Sequence, residues 1–394
     1  MKQSTERVIT THVGSLPRPD DLWQLLDAKH NGRLQDRDAF DMRLREAVAE
    51  TVRMQVETGL DVINDGEMPK PTWGGYVRDR LGGFERRLRQ AGASDAPRRG
   101  GGAAGPRGRD ATAFPGYFAE GIGELGRRRV AEDGGGMVCT GPITYVGQAE
   151  VERDIHNLQA ATAGQQFEEI FIAAVGPDNI GYQAGVNQHY RSEADYMRAN
   201  AEAMRHEYKA IVDAGFVLQI DTPVQKYNSL GLTLEDFRRR FAELVEILNE
   251  ALTDIPPEQV RLHICYGGTH HPHTGDVEMK DLLDLVLKVN AAGISYDGNV
   301  RHEHEWKIWK ERKLPDGKVL LPGLVAHTTD VVEHPELVAD RIVRLANLVG
   351  RENVIASTDC GLGGRVYHEV AWAKLRSLVE GARLATKELW PNAK

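Results

Sequence analysis

His263, Cys265 and Cys360 are the residues in this chain whose types and spacing point most directly to chemistry. On an extended strand, residues i and i+2 point the same way, so an imidazole at 263 and a thiol at 265 can enter one ligand sphere. Histidine and cysteine are favoured zinc ligands, and a site with three protein ligands keeps a position open for substrate or water. A free cysteine is more often a small buried hydrophobe. Cys139, in MVCTGPI, is read that way. Cys265 and Cys360 instead stand in the polar segments HICYGG and STDCGLGG, which favours the ligand reading for both.

Five other segments have the same character: THVGSLPRP, NDGE, GPDN, QIDTP and SYDGN. Each follows or ends a short apolar run rich in β-formers. The runs predict strands at 7–13, 61–64, 170–174, 216–220, 261–265, 293–296, 319–322 and 353–357. Long amphipathic segments lie between them, including 196–214 and 234–253; in the second, Phe237, Phe241, Leu244, Leu248 and Leu252 recur at helical spacing. Eight β/α units in succession predict an α/β fold, a single (β/α)8 TIM barrel over 1–394, whose strand ends converge on one catalytic mouth. A doubly wound open sheet is the rival, but no G-x-G-x-x-G follows the first strand. The apolar run 137–146 exceeds the count of eight and is assigned to an excursion between the second and third strands. Within that excursion, 92–110 is rich in Gly, Ala, Arg and Pro and is expected to be a mobile surface loop.

Composition narrows the partners. The 394 residues carry a net charge of −9, the opposite of the basic stripe that nucleic-acid binding needs. No run of 18 apolar residues is present, which argues against a membrane span. The N-terminal MKQSTERVITTHVGS has no apolar signal region, and three cysteines make no disulfide framework, so a reducing cytoplasm is expected.

As a set, THVGS at 11–15, DGE at 65–67, QID at 219–221, HICY at 263–266 and DCGL at 359–362 resemble the catalytic barrel of cobalamin-independent methionine synthase. RHEHEW at 301–306 and VEHPELVADRI at 332–342 are similar to its short single-barrel relatives, among them homocysteine methyltransferases and epoxide–thiol transferases. The resemblance implies zinc on His263, Cys265 and Cys360 with a carboxylate as fourth ligand. The family's glutamate position holds Asp297, one methylene shorter, with Glu303 as an alternative donor. It further implies that Ser15, Glu67 and Asp221 hold the amino and carboxyl groups of homocysteine. Asp359 would orient its loop or a ligating histidine. In RHEHEW, Arg301 is a candidate for a substrate carboxylate or sulfonate. His304 is a candidate proton carrier, and helix-start ion pairs are the alternative for Arg301 and His304; Asp221 is the other catalytic candidate. The histidines of 269–273 are read as a solvated loop.

The expected enzyme is a zinc-dependent S-methyltransferase that passes an alkyl or methyl group to a small thiol, homocysteine giving methionine. A zinc-bound thiol is held as its nucleophilic thiolate. The alternatives are an epoxide–thiol transferase or lyase, or a zinc hydrolase. The donor is expected to be a methyl-corrinoid protein or a methyl-folate; Tyr182 or Trp73 could stack on a folate, but both are read as packing residues, and a homo-oligomer is the further partner considered.

Overall fold

The computed structural model describes residues 1–72, 74–86, 108–120, 137–180, 186–267 and 270–392. Among the described residues ten strands are formed, in chain order: β1 Ile9–Thr10, β2 Val62–Ile63, β3 Leu81–Arg86, β4 Met137–Tyr145, β5 Glu169–Val175, β6 Val217–Asp221, β7 Val260–Ile264, β8 Gly293–Tyr296, β9 Val319–Val325 and β10 Ile355–Thr358. Eight of them lie side by side in the order β1-β10-β9-β8-β7-β6-β5-β2, with parallel neighbours throughout. The seam between β1 and β2 is closed by Asp61 N–H donating to Thr10 O at 3.1 Å and Thr11 Oγ1 donating to Val62 O at 3.1 Å. All eight expected strands are therefore present, and the chain closes into a barrel, not an open sheet. The run at 137–146 becomes β4, which pairs antiparallel with β3 in a separate ribbon inside the excursion. Most of 92–110 and the residues Trp73 and Tyr182 lie outside the described residues.

The helices follow the predicted apolar stripes. Leu234–Ala251 starts at Thr233, whose side chain accepts from Asp236 N–H, and buries Phe237, Phe241, Leu244 and Leu248 against the barrel. Glu193–Asp213 is capped in the same way by Ser192. Among the described residues, no helix is long and apolar enough to cross a membrane.

Inside the barrel, the period of two sorts side chains by height. On β7, Arg261, His263 and then Cys265 face the interior in turn, and on β6 Gln219 is followed by Asp221. Arg261 is 2% exposed. It donates to Gln219 Oε1 at 2.7 Å, Thr11 Oγ1 at 3.2 Å and His12 O at 2.9 Å, and its guanidinium lies 3.4 Å from the centre of the Phe171 ring. Gln219 passes the connection on, donating to Val13 O at 2.6 Å and Asp221 Oδ1 at 2.7 Å. One buried guanidinium thus links β7 to β6 and to the chain leaving β1. Arg261→Met removes the donors of three buried acceptors and should lower stability by about 2–4 kcal/mol in urea unfolding. Arg261→Lys should recover little, because a single ammonium cannot reproduce a planar fork that spans neighbouring strands.

Candidate metal centre and thiol site

The mouth is assembled from residues at or just beyond the carboxyl ends of the strands. His263 is the fourth residue of β7 and Cys265 follows its last. Cys360 stands two residues beyond β10. One ring nitrogen of His263 and the two Sγ atoms lie within 4.8 Å of one another, and all three residues are buried. His263 Nδ1 contacts Ser295 Oγ at 3.0 Å, which leaves Nε2 facing the sulfurs with no hydrogen-bond partner among the described residues. The proximity of the two thiols moves their pKa values apart. Cys360 is held well below the ordinary thiol range because it accepts from Cys265, and Cys265 is held well above it as the donor.

Asp297, just past β8, is buried behind this set. Its Oδ2 accepts from Tyr266 N–H at 3.3 Å, and its Oδ1 has no partner among the described residues. Burial, Asp359 and Cys360 together push its carboxyl well above the ordinary range. The Asp297 carboxylate does not join the mutual 4.8 Å set of His263, Cys265 and Cys360. An orphaned imidazole nitrogen and two sulfurs form a three-donor set that a cation would satisfy, with the unpartnered Asp297 oxygen outside it. Thiolate and imidazole donors suit a soft or borderline transition-metal ion. Asp359 ties the two loops together by accepting from Gly298 N–H at 2.8 Å and Asn299 Nδ2 at 3.1 Å.

Beside the cluster stand the carboxylates of Glu67 and Asp221. Glu67 is buried in a left-handed turn with φ 55°, and Gly14 gives it room: a Cβ at Gly14 would meet Glu67 Oε1 at 2.6 Å. Burial raises Asp221 to about 7, opposed by His263 and reinforced by the negative Glu67. Ser15 is locked to the Cys360 loop, its carbonyl accepting from Leu362 N–H at 2.8 Å and Gly363 N–H at 3.0 Å. Arg18, 3% exposed, donates through Nε and Nη2 to Glu67 O at 3.2 and 2.6 Å, and its Nη1 lies 3.5 Å from Ser15 Oγ. Seven of the expected site residues (Ser15, Glu67, Asp221, His263, Cys265, Asp297 and Cys360) thus gather at one mouth.

Arg301 and His304 do not join them. Arg301 is exposed and donates to His273 O at 3.3 Å; His304 is also exposed and contacts Glu278 at 3.2 Å. Both lie on the 3-10 segment Val300–Lys310, and their polar groups are taken by the loop after β7, at His273 and Glu278. Glu303 is taken by Arg341 at 2.9 Å.

Two residues at the mouth have no counterpart in the sequence reading. His327 is 2% exposed, and neither ring nitrogen has a hydrogen bond of ordinary geometry, although Gly267 lies close enough to favour a proton on the ring. Burial lowers it to about 3, opposed by Cys360. Its signal was the length of the seventh barrel strand. β9 runs to Val325, three residues past the predicted end, and the period of two carries the inward face from Gly323 through Val325 to His327. Arg365, beyond DCGLGG, is the other. Burial works against its charge, but Cys360 and Cys265 raise its pKa further still.

With this geometry established, similarity to known proteins is informative. Residues 139–384 match the family described as cobalamin-independent synthase, catalytic domain. The chain belongs to that family. It is 24% identical over 383 residues to a methionine synthase of Sulfolobus acidocaldarius, covering 96% of this chain and 93% of that one. A methionine synthase of Saccharolobus solfataricus is 24% identical over 386 residues, with 96% and 95% covered. In fold, it is similar to a B12-independent methionine synthase from Shewanella sp. W3-18-1 solved with selenomethionine, at TM-score 0.71, 21% identity and coverage of 98% and 99%. A vitamin-B12 independent methionine synthase from Listeria monocytogenes gives TM-score 0.63 at 20% identity, covering 96% and 98%. Membership in the synthase family and the TIM barrel agree with the resemblance carried by the sequence motifs.

Two outcomes test the site. Cobalt(II) added to the metal-free chain should give thiolate-to-metal charge-transfer absorption at one ion per chain, and Cys265→Ser and Cys360→Ser should each weaken binding by at least about 100-fold. Cys139→Ser should leave it intact; equal loss in all three would place the ion elsewhere. The second outcome concerns His302, between Asp276 and Glu305 at 3.2 and 3.3 Å. Burial lowers its pKa, but Asp276 and Glu305 outweigh it and lift the ring from 6.5 to about 9. The stability it contributes is full below pH 6.5 and lost as pH rises through about 9. The unfolding midpoint should fall over that window, and His302→Gln should flatten the fall.

Proposed function

We propose that this chain, acting as one barrel over 1–394, transfers a methyl group to the sulfur of homocysteine, with zinc held by His263, Cys265 and Cys360 and by Asp297 as the carboxylate ligand. The observation that carries this reading is the adjacency of two sites: the thiol–imidazole cluster with its unpartnered Nε2, and the Glu67–Asp221 pair. Zinc, when bound, supplies the positive charge that keeps a ligating substrate thiol deprotonated and nucleophilic near neutral pH.

The protein's own residues do the rest. Glu67 and Asp221 clamp an ammonium group by charge-assisted hydrogen bonds, and Ser15 with nearby backbone N–H groups receives the carboxylate. An amino-acid thiol held by the amino and carboxyl groups of its α-carbon leaves its thiol end free to extend toward Cys265 and Cys360. Methyl transfer forms the sulfur–carbon bond and breaks the bond from that carbon to its carrier, so the thiol proton must leave and the carrier is left with an electron pair. That proton is released to solvent as the thiol enters the site; His327, buried with its charged form disfavoured, lines the mouth as a neutral polar ring and is too weak a base to take it. Two anionic sulfur ligands reduce the Lewis acidity of zinc, which favours activating a thiol over activating water. The paired carboxylates favour a thiol bearing an ammonium group, which weighs against an epoxide–thiol transferase acting on thiols without one.

The purified chain should contain one zinc and form methionine from homocysteine with a methyl-corrinoid protein or a methyl-folate; the two donors, assayed separately, identify the carrier. Removing zinc, or introducing Cys360→Ser, should abolish turnover. Asp221→Asn should raise the KM for homocysteine by at least about 10-fold, the loss of one charge-assisted contact. Full turnover by the zinc-free enzyme would refute the reading.

A further inference from the structure

The segment after β8 contains a clamp that the proposed chemistry does not use. His302 stacks face to face on Tyr266, with ring centroids 3.6 Å apart and planes 4° from parallel. Its Nε2 lies 3.2 Å from Asp276 and its Nδ1 3.3 Å from Glu305. Glu305 also accepts from Tyr266 Oη at 3.3 Å and from Met279 N–H at 2.9 Å. Tyr266, His302 and Glu305 are 3%, 7% and 6% exposed. A flat ring between two carboxylates, pressed on a phenol that one of them also holds, has little freedom to move.

Its position gives the clamp a consequence. β7 ends at Ile264, so Cys265 and Tyr266 lie past its last ladder residue. Cys265 points into the mouth only while the chain stays extended there, and the next side chain must then point to the opposite face. That side chain is the ring that His302 covers. The same peptide delivers Tyr266 N–H to Asp297 Oδ2 at 3.3 Å. Fixing the Tyr266 ring therefore fixes the turn that aims Cys265 and holds Asp297.

We propose that His302 is a positioning residue for the metal centre: through its stack on Tyr266 it holds the Cys265 sulfur and the Asp297 carboxylate in place for the ion. This rests on the zinc reading above. Partners that orient metal ligands typically change affinity about 10–100-fold when removed.

The test compares the full-length wild type with His302→Ala, Tyr266→Ala, the double variant, and His302→Gln as a milder change should alanine fail to fold. Zinc affinity is measured by chelator competition. In the metal-free proteins, alkylation rates of Cys265 and Cys139 are followed by mass spectrometry. We expect each alanine variant to bind zinc about 10–100-fold more weakly, and the double variant to lose no more than about 3-fold beyond either single, because both act through one stack. His302→Gln should fall between. Cys265 should alkylate at least about 10-fold faster in His302→Ala, while Cys139, buried in the separate β3–β4 region, keeps its rate. Wild-type affinity and labelling in His302→Ala, multiplying losses in the double variant, or equal acceleration of Cys139 would each overturn the proposal. If the wild type binds no zinc, the metal reading fails by itself, and the Cys265 labelling rate still decides whether His302 positions that residue.

Discussion

The guanidinium of Arg261 sets the frame on which the mouth is built. It is buried in the barrel and hydrogen-bonded to Gln219, Thr11 and His12, so β6 and β7 and the segment after β1 are held at one height. Above that rung the period of two leaves no choice. The next inward positions on the two strands are Asp221 and His263, opposite each other in register, and the next on β7 is Cys265. A slip of one residue would turn these side chains to the outer face and bury their outward neighbours Ile220, Leu262 and Ile264 in the site. A charge without a carboxylate partner is an expensive way to hold register, and its hydrogen bonds to neutral acceptors are what make it tolerable.

Above the rung, the mouth departs from ordinary packing in a consistent direction. His263 Nε2, Asp297 Oδ1 and both nitrogens of His327 are buried without partners among the described residues. Each such atom costs on the order of 1–3 kcal/mol. They gather around the two sulfurs of Cys265 and Cys360. Arg365, whose charge is favoured by both cysteines, offsets part of the negative charge that a dithiolate site accumulates. The shorter Asp297 fits this arrangement as a group held by Tyr266 N–H at the edge of the set.

The excursion between β2 and β5 also contributes to this side of the barrel. Its described portion carries Asp110, which accepts from Thr274 Oγ1 at 2.6 Å and from Asn228 Nδ2 at 2.9 Å. Asn228 also donates to Asp276 at 3.0 Å, and Asp276 is one of the two carboxylates that hold His302. The loops after β6, β7 and β8 and the excursion thus meet in one hydrogen-bonded belt beside the thiol–imidazole cluster.

By itself the sequence determined the eight strands and the closed barrel, because apolar runs of the right length with polar residues at their ends are local signals. His-x-Cys on one strand is legible for the same reason: two residues on one strand keep a fixed relation whatever the rest of the chain does. Tertiary structure decided everything that depends on distance between elements. His327 became part of the mouth only because β9 extends to Val325, a boundary set by pairing with β10. Arg301 and His304 follow Asp297 closely in sequence, yet the tight Val300–Lys310 segment turns both to the surface and turns His302 inward against Tyr266. Neighbours in sequence share a site only when the backbone between them stays extended; a 3-10 turn sends successive side chains to different sides of the segment, and only the folded chain shows which one faces in.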